Sequence, residues 1–214
     1  VGADLLLFPF GGNAREALCC LPRGGALRPV GFVDDDPGTH GATCCGVPVL
    51  GGREWLGRMP SAQVLAVPGS PATYARRQTV LEGLALPPAR YATVVHSHAS
   101  VAGDVGLGVN VLIMPGAFVG AGARVGSHVL IMAGAVVSHD AAVADYAIIA
   151  AGAMVAGGAV VERGAYVGAG ARLREGARVG AGALVGMGAV VLDAVPPGEV
   201  WAGVPARPVH GGAL

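Results

Sequence analysis

One register runs through the second half of the chain. Stepping by six from Val101 gives Leu107, Ile113, Val119, Val125, Ile131, Val137, Val143, Ile149, Val155, Val161, Val167, Leu173, Val179, Val185 and Val191, so every position is Val, Ile or Leu. Two residues before each of these, from Ala99 to Ala189, stands Ala or Val, and the frame never shifts. A period of six is neither the 3.6 of a helix nor the 2 of one flat strand. It fits short strands joined by tight corners and stacked as a solenoid. The aliphatic residue points inward, the small residue lies near the corner, and each coil is stabilised by its neighbours. Glycine follows the aliphatic position at Gly108, Gly120, Gly126, Gly168, Gly180 and Gly186. A turn that uses glycine's backbone freedom is the expectation there.

The first ninety residues lack this period and read as a small α/β unit. ADLLLFPF, RPVGFVDDDPG and SAQVLAVPGS read as strands, GVPVLGG as a short extended piece, and AREALCCL and ATYARRQTVLEGLAL as helices. Glycine-rich loops after the strands suit phosphate, which such sheets bind at their carboxyl edge and at helix N-termini. FPFGGNARE on its own is a weak nucleotide signal.

Composition removes several classes. The chain has 214 residues, 53% of them hydrophobic and 13% charged, and its net charge is zero. All 14 basic residues are Arg and they are scattered, so no basic stripe points to nucleic acid or a membrane surface. A mean hydropathy of +0.59 makes a membrane span worth testing. The longest uncharged run, Tyr146–Val161, falls short of the roughly 20 apolar residues a spanning helix needs. The N-terminus lacks the pattern of a signal peptide, and a cytoplasmic protein is the expectation. Cys19–Cys20 and Cys44–Cys45 fit neither a common zinc spacing nor a disulfide framework, and buried free thiols are expected.

The six-residue repeat resembles that of the hexapeptide-repeat acyltransferases. The resemblance implies a left-handed parallel β-helix with three hexads per 18-residue coil, without a long protruding loop. A Gly-Gly loop opening a helix, an acidic cluster after the second strand and a β-helix downstream resemble the sialic-acid and bacillosamine-type nucleotide-sugar acetyltransferases in particular. The expected architecture is thus a Rossmann-like α/β domain over 1–90 that holds a nucleotide-sugar, then a β-helix acetyltransferase domain with a tail over 91–214.

Function centres on AVVSHDAAVADY, where His139 stands directly before Asp140. Acetyl transfer from a thioester to an amine needs a proton acceptor near neutrality and donors for the developing oxyanion. Imidazole suits the first role, and a carboxylate beside it can fix its tautomer. VVSHD also matches the family's catalytic His-Asp or His-Glu motif, so His139 is the expected general base with Asp140 orienting it. Ala121 and Gly157 are its expected neighbours in the stack, one coil away on either side.

The resemblance implies further roles. Gly11, Gly12, Asn13 (where His is common), Arg15, Asp34, Asp35, Ala66, Val67 and Pro68 match the acceptor-binding positions. Gly152, Gly157, Ala169 and Arg207 match positions that line acetyl-CoA. The implied assembly is a homotrimer with shared sites, the implied acceptor a UDP-linked amino-sugar (GDP and dTDP being open), and no metal is required. VPPGEVWAGVPARPV resembles the family's closing segment. Met132 and Ile148 stand where relatives often carry Asn and a second His. His96 and His98 read as structural, and His128 as a neighbour of a subunit boundary. No His pair has the five-residue spacing of β-helical carbonic anhydrases. N-acetylation of the sugar amine is the expected reaction. O-acetylation of a sugar or small alcohol, and a catalytically silent scaffold, are the alternatives.

Overall fold

The structure, a computed structural model, describes residues 2–22 and 24–209. The last five residues of the expected second domain lie outside it. The N-terminal sheet has β1 (Ala3–Phe8), β2 (Leu27–Val33), β3 (Thr43–Cys44), β4 (Val47–Gly51) and β5 (Gln63–Ala66), in the order β3-β4-β2-β1-β5. All pairings are parallel except the β3–β4 hairpin. Leu5, Leu6 and Leu7 of the central β1 are buried on both faces, as an uninterrupted apolar run in a parallel sheet requires. Helix α1 (Gly12–Cys20) follows β1, α2 (Glu54–Arg58) follows β4, and α3 (Arg77–Glu82) follows β5.

The sequence reading omits β3 and α2. The β3–β4 turn is Cys45–Gly46 with φ of 50° and 80°, so both central residues are left-handed as in a type I′ hairpin. Cysteine is an unusual occupant of that turn and gives no warning of it. Helix α2 is a five-residue element containing Gly57, too short for a helical period. The thiols also differ from expectation. Cys20 is buried, Cys44 is half-buried, and Cys19 and Cys45 are exposed, because α1 turns Cys19 outward and Cys45 forms the hairpin tip.

From Ser100–Val101 to Val190–Val191 a two-residue strand recurs every six residues without interruption. Strands pair in parallel with the strand 18 residues on, as Phe118–Val119 does with Val136–Val137, until the last coil, where Arg178–Val179 and Leu184–Val185 pair with strands 16 residues on. Three strands thus make one triangular coil. The first face carries the strands at 94–95, 112–113, 130–131, 148–149, 166–167 and 184–185. The second carries 100–101 through 190–191, and the third 106–107 through 194–195. The aliphatic positions from Ile113 to Val191 are at most 4% exposed and form one continuous core with the small column.

The glycines next to the aliphatic positions serve a different purpose from the one expected. Their φ angles are not positive. A Cβ on Gly108 would lie 2.5 Å from the Ser127 nitrogen, and one on Gly180 2.4 Å from the Pro197 nitrogen. Close stacking of successive coils demands them. The left-handed corner residue is instead the third after each aliphatic position. From 110 to 188 this column is glycine except at Asn110, His128, Asp140 and Tyr146, which take positive φ all the same.

The sheet domain packs on the first face. Leu5, Leu7, Ala14 and Phe32 share one cluster with Leu112, Leu130, Ile148, Tyr166 and Leu184, whose side chains point out of the β-helix. Asn110, buried beneath the junction, accepts the Ala66 N–H at 2.8 Å and donates to the Ala66 carbonyl at 2.7 Å. His128, also at this junction, stacks on Tyr146 and meets Tyr91 edge-on.

Candidate active site

His139 lies at the corner between the second and third faces, beyond the core and exposed to solvent. The stack holds its backbone in place: the Asp140 N–H donates to the Ala121 carbonyl and the Gly158 N–H to the His139 carbonyl, each at 3.0 Å. Its ring lies over Gly157, where a Cβ would fall 2.6 Å from both Cε1 and Nε2. The imidazole therefore occupies space that only glycine leaves free. Its Nδ1 lies 2.9 Å from Asp140 Oδ2, and a neutral ring that donates Nδ1–H to this carboxylate has Nε2 as its proton acceptor. Asp140 makes this bond from a left-handed backbone (φ 59°), in the column where Gly122 and Gly158 stand one coil away. The two side chains are 64% and 73% exposed, so in the single chain the pair is open to water.

The residues matched to acceptor binding gather at the carboxyl edge of the sheet, where β1 has β2 on one side and β5 on the other. Gly11 caps α1 in an extended conformation, and nothing lies within 4 Å of a Cβ placed on Gly11 or Gly12. The start of α1 thus has room beside it, which an anion site at a helix N-terminus needs. A cavity of about 610 Å³ opens between this helix and the corner of the first and second faces. Gly12, Arg15, Met114 and Met132 line it.

The neighbouring matched residues hold the loops in place. Asp34 accepts the Phe10 N–H at 2.8 Å and so ties the glycine loop to the end of β2. Asp35 accepts from the Arg53 backbone N–H at 3.0 Å and its Nε at 2.9 Å, and the Arg53 hydrogen bonds hold its carboxyl below the ordinary carboxylate value. Asn13 spends its amide on the Val67 and Gly69 carbonyls, at 3.1 and 2.9 Å. The backbone groups of Ala66, Val67 and Pro68 are themselves engaged, with Asn110, with Phe8 and Asn13, and with Arg77. Asn110 and Arg77 are the site-shaping residues that the sequence reading missed. A non-glycine residue in the glycine column was the signal available for Asn110.

The residues matched to acetyl-CoA do not converge within one chain. Gly157 is at the His139 corner, Gly152 and Ala169 are at the corner of the first and second faces, and Arg207 is in a terminal hairpin pairing with Ala202. The His139 corner is also opposite the first face, to which the sheet domain is docked. A shallow groove of about 700 Å³ runs along the third face towards its corner with the first, past Arg124, Ala142 and Arg163, and does not include the His139 corner. Ile148 is 2% exposed, sealed beneath Gly69, so no polar group replaces the second histidine of relatives there. Among the described residues, no three His, Cys, Asp or Glu side chains form a group able to hold a metal, and no helix is long and apolar enough to cross a membrane.

Comparison with known proteins agrees with this geometry. Residues 122–157, the two coils that bracket His139, match the family described as bacterial transferase hexapeptide (six repeats). The acetyltransferase domain of PglB from Neisseria gonorrhoeae is 25% identical with a TM-score of 0.85, over 97% of this chain and 100% of that one. A histidine-to-asparagine variant of perosamine N-acetyltransferase from Caulobacter crescentus, solved with CoA and GDP-perosamine, is 26% identical with a TM-score of 0.85, over 99% and 98%. WeeI from Acinetobacter baumannii is 25% identical with a TM-score of 0.76, over 98% and 100%. No curated protein sequence matches the chain. The α/β domain, the left-handed β-helix and these whole-length likenesses make the chain similar to hexapeptide-repeat acetyltransferases.

Proposed function

We propose that the protein transfers acetyl from acetyl-CoA to the amino group of a nucleotide-linked amino-sugar, with His139 as general base. The observation that carries this reading is the His139–Asp140 hydrogen bond over Gly157, which in a neutral ring makes Nε2 the proton acceptor. The amine nitrogen attacks the thioester carbonyl, the C–N bond forms, and Nε2 takes the proton the nitrogen sheds. The tetrahedral intermediate then collapses, breaking the C–S bond and releasing CoA thiolate, which His139 can protonate. Asp140 stabilises the imidazolium in between. PglB's acetyltransferase domain has been solved with acetyl coenzyme A, and the perosamine enzyme with CoA and a GDP-sugar, which supports donor and acceptor class.

In this reading residues 1–90 hold the nucleotide, with its diphosphate over Gly11 and Gly12, and residues 91–214 supply the base. Because His139 lies opposite the docked sheet domain, its acceptor comes from a neighbouring chain. A trimer in which the corner of the first and second faces of one chain packs against the His139 corner of the next would exclude water from the exposed pair and bring Gly152 and Ala169 of one chain towards Gly157 of the next. UDP is the first nucleotide to test.

The test is CoA release with UDP-, GDP- and dTDP-linked amino-sugars, followed by mass analysis of the product before and after hydroxylamine. An acetylated product that resists hydroxylamine is the amide this reading requires. A product that hydroxylamine cleaves is an ester and supports O-acetylation. No release with any acceptor supports a silent scaffold.

A further inference from the structure

Arg77, at the start of α3, is the one charged side chain among the described residues that is withdrawn from water, at 1% exposure. Its guanidinium donates to the Pro68 carbonyl and, at 2.6 Å, to the His128 carbonyl on the β-helix. Nε has no partner, and among the described residues no carboxylate pairs with the group. Burial pushes its pKa down to about 9. A buried cation without a counter-charge destabilises a fold relative to an apolar side chain of similar volume. Stability therefore does not explain its presence.

What it touches suggests a reason. Three successive carbonyls of the loop after β5 are held by side chains: Val67 and Gly69 by Asn13 from α1, and Pro68 by Arg77. Gly69 itself sits on the β-helix, where a Cβ would be 2.8 Å from Ile148 Cδ1. The loop leaves the sheet at its carboxyl edge, beside the open N-terminus of α1. Arg77 hydrogen-bonds both the middle of the loop and a corner of the β-helix; Tyr74 ties the loop's end, its N–H donating to the Ser70 carbonyl at 2.8 Å and its hydroxyl to the Gly182 carbonyl at 3.2 Å.

We infer that Arg77 is a positioning residue for the acceptor: it fixes the loop Val67–Ser70 in register with the β-helix, so that an acceptor bound at the sheet edge is presented in a constant orientation to the acetyl donor. This rests on the nucleotide-sugar reading of the first domain. Gly152, Gly157, Ala169 and Arg207, the residues matched to acetyl-CoA, share no hydrogen bond with this loop, so the acetyl-CoA KM is the control.

The experiment compares wild type with Arg77→Met, which keeps the bulk and removes the buried charge, and with Arg77→Lys. Amide exchange in the free protein is followed by mass spectrometry at residues 67–70, and KM is measured for both substrates. Arg77→Met is expected to fold with a Tm close to wild type, exchange faster at 67–70 alone, and raise the acceptor KM about tenfold, the scale of one lost charge-assisted hydrogen bond. The acetyl-CoA KM stays unchanged, and Arg77→Lys recovers part of the loss. Unchanged exchange at 67–70 overturns the inference. So does a lowered Tm with both KM values unchanged, which marks a structural role only. Faster loop exchange in a protein whose wild type consumes no nucleotide-linked amino-sugar would instead uphold the loop anchoring and overturn the acceptor reading.

Discussion

Asp140 shows how a repeat accommodates a charged residue at a left-handed corner. The corner column accepts left-handed residues, and an L side chain there is disfavoured by about 1–2 kcal/mol against glycine, less for Asp than for most. The sequence retains a carboxylate at that corner because the position presents Oδ2 to His139 Nδ1. Asp140→Gly is therefore expected to raise stability by up to about 1 kcal/mol, while lowering kcat. Denaturant melts and steady-state rates on the same variant check the pair of effects. A variant that loses stability instead would show that Asp140 belongs to the scaffold. The pair was legible in the sequence because His139 breaks an apolar repeat at a known place in its frame. Its seat on Gly157 was also legible once 18 residues were taken as one coil. The roles of Asn13, Asp34 and Asp35 were not, since a motif match cannot show that their polar atoms are occupied within the chain.

At the level of elements, the hexad register predicted the strands and the core, and the structure follows it from Val101 to Val191. The junction between the domains was not foreseen. It depends on Asn110, His128 and Tyr146, which interrupt the same glycine column as Asp140 and mark the corner that meets the sheet domain. Ala66 is fully buried and Asn110 satisfies both of its backbone groups, so Asn110→Ala is expected to cost roughly 2–4 kcal/mol. Chemical denaturation measures it, and a cost under about 1 kcal/mol would mean that water replaces the amide. His128 adds a pH dependence. Burial, then the Arg77 charge, depress its pKa, against smaller opposing effects of Asp145 and Glu82. As pH falls below about 6.5 the unfolded chain takes up this proton before the folded one. The stabilisation is complete above that pH and is lost on acidification through the lower, folded-state value. Tm measured from pH 8 to pH 5 should fall less steeply for His128→Gln than for wild type, and parallel curves would remove His128 as the cause.

For the molecule as a whole, the separation of its two working parts decides how it can act. The sheet domain covers the first face and His139 stands on the opposite edge, so the proposed reading requires the acceptor and the base to come from different chains. Mixing an inactive His139→Ala chain with an inactive Gly12→Trp chain, whose indole fills the space over α1, is expected to restore activity through exchanged subunits. Mixtures that stay inactive despite subunit exchange would place the whole site in one chain. The order of the domains was legible in the sequence, but their relative placement depends on which face of the β-helix carries outward apolar residues. That face emerges only when Leu112, Leu130, Ile148, Tyr166 and Leu184 are seen in one row. The central claim concerns His139, and the most direct measurement is kcat for acetyl transfer to the best nucleotide-linked amino-sugar in wild type and His139→Ala, matched for Tm. A loss of about 10²–10⁴-fold is predicted, the range for removing a general base. A variant that folds and turns over within a factor of about three of wild type would contradict base catalysis by this residue.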